Sequence, residues 1–254
     1  MEFMRWITLL SVVAGSVMVL VVGCGSSGQA GDSGETTHKA YAPRINPADF
    51  TTKVDNKYFP LKPGTSFAYE GKKKVATVRD EMAVTHTTRQ IMGVECVVVD
   101  DRVWENGKLA EETYDWYAQD KEGNVWYFGE DSKEYENGKV VSTEGSWEAG
   151  EDGAKAGIIM QAQPKVGETY RQEYYKSEAE DMAKVLDLEG SAKVPYGSFE
   201  HVLVTKEWTP LEPNLIVHKY YAPAVGNVIE VSVKGPLERI DLVDVKSTGS
   251  GKLP

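Results

Sequence analysis

Carboxylates are the commonest chemistry-bearing side chains in this sequence: 39 Asp and Glu against 28 Lys and Arg, a net charge of −11. Paired acids can serve glycoside hydrolysis, and Glu111-Glu112 is such a pair by type. Neighbours on a strand point to opposite faces, however, so a sequence-adjacent pair builds no site. Acids solvated on a net-negative sheet surface are the expectation. Asp101 and Glu112 stand apart. Counting back from the turn at Asn106-Gly107 pairs Trp104 with Leu109, Val103 with Ala110, Arg102 with Glu111 and Asp101 with Glu112. Like charges so placed repel unless a cation, a shared proton or open solvent relieves them, and an open solvated face is the expected relief.

The other catalytic types are sparse. The histidines are His38, His86, His201 and His218, with no H-x-x-x-H spacing of the kind zinc sites use. No metal or cofactor is expected. Cys96 lies in VECVVVDD with no basic neighbour, and reads as a small buried apolar residue rather than a reactive thiol. No G-x-S-x-G, H-E-x-x-H or phosphate-cradling glycine loop occurs. Asp120-Lys-Glu-Gly123-Asn resembles a fragment of a calcium loop but lacks the spaced ligands and closing Glu. A protein without catalysis is the expectation. The net charge argues against nucleic acid, because phosphate backbones need clustered cations.

Binding chemistry is concentrated in the aromatics. Thr113–Glu130, TYDWYAQDKEGNVWYFGE, sets two aromatic runs around a polar turn. The turn register puts Tyr117 opposite Tyr127 and Trp116 opposite Phe128. Trp116 and Tyr117 point to opposite faces, as do Trp126 and Tyr127. One face must be core; the other is covered by tether or partner, or lines a ligand groove. An echo at His218–Val231 adds Tyr220 and Tyr221. Trp116, Tyr117, Trp126, Tyr127, Tyr220 and Tyr221 are therefore the candidate ligand-binding residues, divided between core and cavity.

The elements that must position them are strands. Ala76, Val78, Met82 and Val84 recur with period two, and Val94–Trp104 is β-branched. Asn106-Gly107 and Asn137-Gly138 are hairpin turns of the type that needs two positive φ angles. The second half replays the first: Lys165-Val-Gly167 against Lys62-Pro-Gly64, Tyr221-Ala222 against Tyr117-Ala118, and Gly226-Asn-Val228 against Gly123-Asn-Val125. Landmarks in one order at one offset predict an internally duplicated antiparallel β-meander, a sandwich or an open or closed barrel. Ser177–Leu186 fits a strand or a short helix, its Ser being a candidate cap. Trp147–Ile158 reads as an irregular bridge between the halves.

The N-terminus reads as an export signal. Arg5 precedes an apolar run, Trp6–Val22, that ends at Gly23-Cys24. The alternative is an uncleaved anchor, because such a run can just span a bilayer. Small residues before a cysteine resemble the bacterial lipobox, with Val21 and Val22 departing from its commoner residues. The resemblance implies lipid on Cys24 and cleavage before it. The organisation expected is a signal peptide at 1–23, a Gly/Ser/Thr tether at 24–45, β repeats at 46–158 and 159–246, and a frayed tail at 247–254. A tether of this composition reaches on the order of 25 Å.

VPYGSF (194–199), KYYAPAVGNV (219–228) and YDWYAQDKEGNVWYFGE (114–130) resemble patterns of uncharacterised bacterial lipoproteins. The architecture is more loosely similar to lipoprotein-localisation carriers (LolA/LppX-like), incomplete barrels around an apolar cavity. That likeness implies a lipid-anchored extracytoplasmic carrier of an apolar or aromatic-stacking ligand, in the cell membrane or outer membrane. The rival expectations are an envelope protein that binds another envelope protein through its sheet face and, last, a carboxylate hydrolase.

Overall fold

The computed structural model describes residues 41–248. Cys24, the expected export signal, most of the expected tether and the tail beyond Thr248 lie outside them. Eleven long strands carry the fold: β1 (Thr65–Lys73), β2 (Ala76–Ile91), β3 (Val94–Glu105), β4 (Lys108–Asp120), β5 (Val125–Glu136), β6 (Lys155–Met160), β7 (Met182–Val194), β8 (Gly197–Trp208), β9 (Ile216–Ala222), β10 (Gly226–Lys234) and β11 (Glu238–Ser247). They hydrogen-bond antiparallel in the order β7-β8-β9-β10-β11-β1-β2-β3-β4-β5-β6. Both ends of this sheet meet one short segment. Thr169–Arg171 pairs with β7 and Glu173–Tyr174 pairs with β6, so a single chain passage nearly closes the sheet into a barrel. Closure is partial: past Val185 the rest of β7 pairs with β8 alone.

Alternation fixes the inside. Along β2, Val78, Asp80 and Val84 are buried while Arg79 and Glu81 lie outside. The outward charges pair along and across strands, as in Arg102 with Asp100 on its own strand and Glu112 on the next. The turns are those their residues demand: Asn106 and Gly107 take φ of 49° and 76°, Asn137 and Gly138 52° and 75°, the positive pair of a tight hairpin. Hairpins follow in similar order in both halves. The turn after β4 leads to β5 at Val125, and the turn after β9 leads to β10 at Gly226.

Two expected registers are corrected by bulges. Trp104 pairs with Leu109 as counted, but Ala110 is then looped out, and Val103 faces Glu111, Arg102 faces Glu112 and Asp101 faces Thr113. In the central hairpin Tyr117 does face Tyr127, whereas Trp116 faces Gly129 rather than Phe128. Gly129 has φ 133°. A Cβ there would stand 2.2 Å from the Trp147 carbonyl oxygen, so the bulge lets a neighbouring strand come close.

The described residues contain no α-helix, only a 3₁₀ turn at Pro47–Asp49. Ser177 sits in a turn with φ 66°, and β7 follows with Ala183 and Val185 buried between half-buried Met182 and Lys184. Pairing with β8 overrides the helix-forming composition. The presumed bridge is also more regular than expected, since Lys155–Met160 joins the sheet beside β5.

Candidate functional site

The barrel's inward rows carry charge where alternation calls for apolar residues. They read Val78-x-Asp80-x-Met82-x-Val84 on β2, Val99-x-Asp101-x-Val103 on β3 and Thr113-x-Asp115-x-Tyr117 on β4. On the second half they read Val217-x-Lys219-x-Tyr221 on β9 and Val228-x-Glu230 on β10. Asp80, Asp101, Asp115, Glu230 and Lys219 converge on a cavity of about 80 Å³, together with Tyr69, Tyr117, Tyr221, Phe67 and Asn227. All five ionisable groups among them are buried. The expectation that Asp101 lies on an open, solvated face is therefore corrected: the residue is 6% exposed. Glu112 is not its partner. The bulge turns Glu112 outward, 3.0 Å from Arg102.

The network has one cation. Lys219 Nζ lies 3.2 Å from Glu230 and 3.4 Å from Glu207. Glu207 also accepts hydrogen bonds from the hydroxyls of Tyr221 (2.9 Å) and Thr205 (2.8 Å). Asp115 accepts one from Tyr127 at 2.6 Å, and Tyr127 reaches Glu130 at 3.1 Å. Asp80 and Asp101 lie on adjacent strands and line the same cavity, and a proton held by one of the two relieves the repulsion of their like charges.

Burial is the first cause of every acid shift here, because a charged carboxylate loses its water inside the barrel. It pushes Asp80 up to about 7, partly offset by Asp101 beside it, with the charges of Glu230 and Glu111 adding to it. Asp115 is pushed up to about 7, with the Tyr127 hydroxyl pulling the other way. Burial, then the neighbouring charges of Asp80 and Asp115, holds Asp101 well above the carboxylate range. Nearby Glu238 rises to about 7, again through burial and then Glu230.

A plug closes one mouth. Val54–Asp55 pairs with Pro60–Leu61 in a small separate hairpin. Asn56 holds it in place, donating to the carbonyls of Gly123 (2.9 Å) and Gln161 (3.2 Å) and accepting from the amides of Tyr58 and Phe59. Phe59 sits over the cavity, its ring 5.4 Å from Tyr117 and 6.5 Å from Tyr221.

The six aromatics expected to bind ligand divide three ways. Tyr117 and Tyr221 line the cavity. Tyr127 is fully buried behind Tyr117, stacked at 4.8 Å. Trp116, Trp126 and Tyr220 alternate to the outer face. Arg89 lies over Trp116 at 4.2 Å, Phe50 stands edge-on to Trp126 and Phe128, and Trp126 donates to Asp120. The second aromatic face is thus covered partly by the chain's own residues before β1, with Phe50–Thr51 paired to β4. Asp120 also accepts from the amides of Glu122 and Asn124, so its carboxylate organises the turn. Cys96 is fully buried, its thiol pushed up to about 12 by that burial. His201 and His218 lie on adjacent strands, but His218 faces Lys206.

No protein-family model matches this chain, and no curated protein matches it by sequence. Two crystal structures resemble it in shape. One is of a protein assigned as exported, with YmcC-like fold, from Bacteroides fragilis: 14% identical, TM-score 0.46, covering 76% of this chain and 100% of that one. The other is of a protein assigned as a lipoprotein from Parabacteroides distasonis: 12% identical, TM-score 0.41, covering 75% and 99%. At this level of similarity neither carries an argument about what this chain does.

Proposed function

We propose that this protein is a lipid-anchored, extracytoplasmic binding lipoprotein without catalytic activity, which holds a small aromatic-stacking ligand inside its barrel. Acyl chains on Cys24 supply the anchor; two or more hold stably where one binds only marginally. The observation that carries the binding role is the cavity beneath Phe59, ringed by Tyr69, Tyr117 and Tyr221 and lined by four carboxyls and one lysine. Buried charge of this kind is poor structural material, since packed apolar residues of similar volume stabilise as well or better. Ionisable groups held in a cleft against that cost mark functional sites. At about 80 Å³ the cavity is well below the roughly 300–1,000 Å³ of a drug-sized pocket. The ligand is thus small, or inserts only one end, and a whole acyl chain is not its cargo.

The test is a titration of the purified full chain with small stacking ligands, read by calorimetry and by tyrosine and tryptophan fluorescence. Saturable binding weakened by Tyr117→Ala or Tyr221→Ala supports the reading; no binding to any member of a chemically varied panel refutes it. A second reading, an interaction module of the envelope, is favoured by Val75, Val233 and Leu237. They are 95%, 52% and 74% exposed on two adjoining hairpin tips. Val75→Asp with Leu237→Asp would abolish a partner contact there and leave ligand binding intact. We also infer that the barrel arose from two copies of one meander, on the recurring hairpins and glycines of its halves.

A further inference from the structure

We propose that the barrel cavity takes a small organic cation, a short protonated amine or the ammonium end of a larger molecule, on Asp80 and Asp101. This rests on the reading of the cavity as a binding site and specifies the chemistry that site selects. Three observations converge on it.

The first is charge. Lys219 is engaged by Glu207 and Glu230. Among the described residues no Lys, Arg or His forms an ion pair with Asp80, Asp101 or Asp115. A cation-accepting deficit therefore remains at one side of the cavity, on β2, β3 and β4.

The second is hydrogen bonding. Buried Asp80 Oδ1 and Asp101 Oδ1, together with Asn227 Oδ1, meet no donor, and all three residues line this one cavity. Every unmet group there is an acceptor. A ligand that completes the set must bring donors, which an ammonium does and an anion or hydrocarbon does not. Buried polar atoms left without a partner cost free energy, so three of one kind around one space are informative.

The third is size and surface. The cavity has about half the volume of the roughly 150 Å³ space that accepts benzene in an engineered protein core. That accommodates a few heavy atoms. Tyr117, Tyr221 and Phe59 line the cavity and supply apolar contact for the carbons, and aromatic rings also attract cations over their faces. Among the described residues no three His, Cys, Asp or Glu side chains are arranged to hold a metal ion, which favours a diffuse organic cation over a coordinated metal.

Binding is coupled to a proton. Below about pH 7 the Asp80–Asp101 pair holds one, and an ammonium that takes its place expels it to solvent, leaving both carboxylates charged. The groups facing Asp80 are Asp101 on β3, Glu111 and Asp115 on β4, Lys219 on β9, Glu230 on β10 and Tyr69 on β1. Asp101, Glu111, Asp115 and Glu230 are carboxyl groups, and together they oppose a second negative charge until the ligand supplies a positive one. Affinity therefore rises as pH climbs through about 7, and falls again once the amine itself loses its proton near about 10.4.

The experiment is calorimetric titration of the full chain in detergent with ethylammonium chloride, run in two buffers of different ionisation enthalpy. Ethanol serves as the neutral probe of similar size, acetate as the anion and N-phenyl-1-naphthylamine as the apolar probe. The expected result is saturable ethylammonium binding with proton release, weakened roughly tenfold or more by Asp101→Asn. Asp80→Asn is the second variant, and the melting temperature of each shows that it has folded. If ethanol or the apolar probe binds and ethylammonium does not, the cation assignment falls while the binding role stands. If nothing binds, both fall. Ethylammonium binding that is equal in wild type and in folded Asp101→Asn and Asp80→Asn, without proton release, also overturns the assignment.

Discussion

Raising the pH should weaken this fold, the reverse of the behaviour of a protein held by surface carboxylates. Asp80 titrates near 3.8 when unfolded and about 7 when folded, because burial and neighbouring acids penalise its charge. Its folded value is raised, so between those limits the native state binds more protons than the unfolded chain. Stability is then fully present below about pH 4 and is lost as pH rises through about 7. The rise is about 3 pKa units, worth about 4 kcal/mol at 1.36 kcal/mol per unit. Asp115 and Glu238 shift the same way. They share neighbours with Asp80, so the three do not add and one group's worth is the working figure. Against a total stability of roughly 5–15 kcal/mol this is a large fraction. Between pH 5 and pH 8.5 about 2 of those pKa units are crossed, about 2.7 kcal/mol, so with a urea slope of about 2 kcal/mol per molar the unfolding midpoint should fall by about 1.4 M at constant slope. Asp80→Asn keeps the shape, removes the charge and lets the amide donate to Asp101. It should recover much of the loss at pH 8.5 and change little at pH 5. A midpoint at pH 8.5 equal to or above that at pH 5, or an Asp80→Asn variant weaker at pH 8.5, would refute the reasoning.

Further outcomes follow from the same geometry. Gly129→Ala should destabilise by at least about 2 kcal/mol, because its φ of 133° disfavours a side chain and its Cβ would meet the Trp147 carbonyl; thermal melts check this. Trp116→Ala and Tyr127→Ala should each cost about 3–5 kcal/mol as buried aromatics, whereas half-buried Tyr220→Ala should cost clearly less in the same melts. Phe59→Ala should speed ligand association and dissociation together, measured by stopped-flow fluorescence, because the ring over the cavity is removed. Cys24→Ser should leave the protein unprocessed or release it from membrane fractions; unchanged maturation and partitioning would exclude the lipobox reading.

The strand order was legible because turn chemistry and period-two alternation agree along most of the chain. Asn106-Gly107 and Asp120–Asn124 specify their hairpins locally, and each appears as read. The bulges at Ala110 and Phe128 were not legible. The bulge at Phe128 goes with the close approach of the Trp147 backbone to Gly129, which no local signal announces, and a bulge flips the facing of every later residue. That is why Glu112 was wrongly made the partner of Asp101, which faces Thr113. Asp80, Asp115, Lys219 and Glu230 were missed although a signal for them existed. Each sits in the apolar phase of an alternating strand, with Val, Thr or Tyr two residues away, so its side chain must share the inner face. Treating acids as surface by default hid it. Closure of the barrel was beyond sequence reasoning, since Thr169–Tyr174 joins β7 to β6 through two short pairings with no periodicity of their own.

The most direct test is a crystal structure of the protein grown with ethylammonium at pH 8. The account predicts the amine in the cavity beneath Phe59, its nitrogen within hydrogen-bond distance of Asp80 or Asp101 and its carbons against Tyr117 and Tyr221. A cavity holding only ordered water with the amine present in the crystal, or an amine found only on the outer surface, would contradict it.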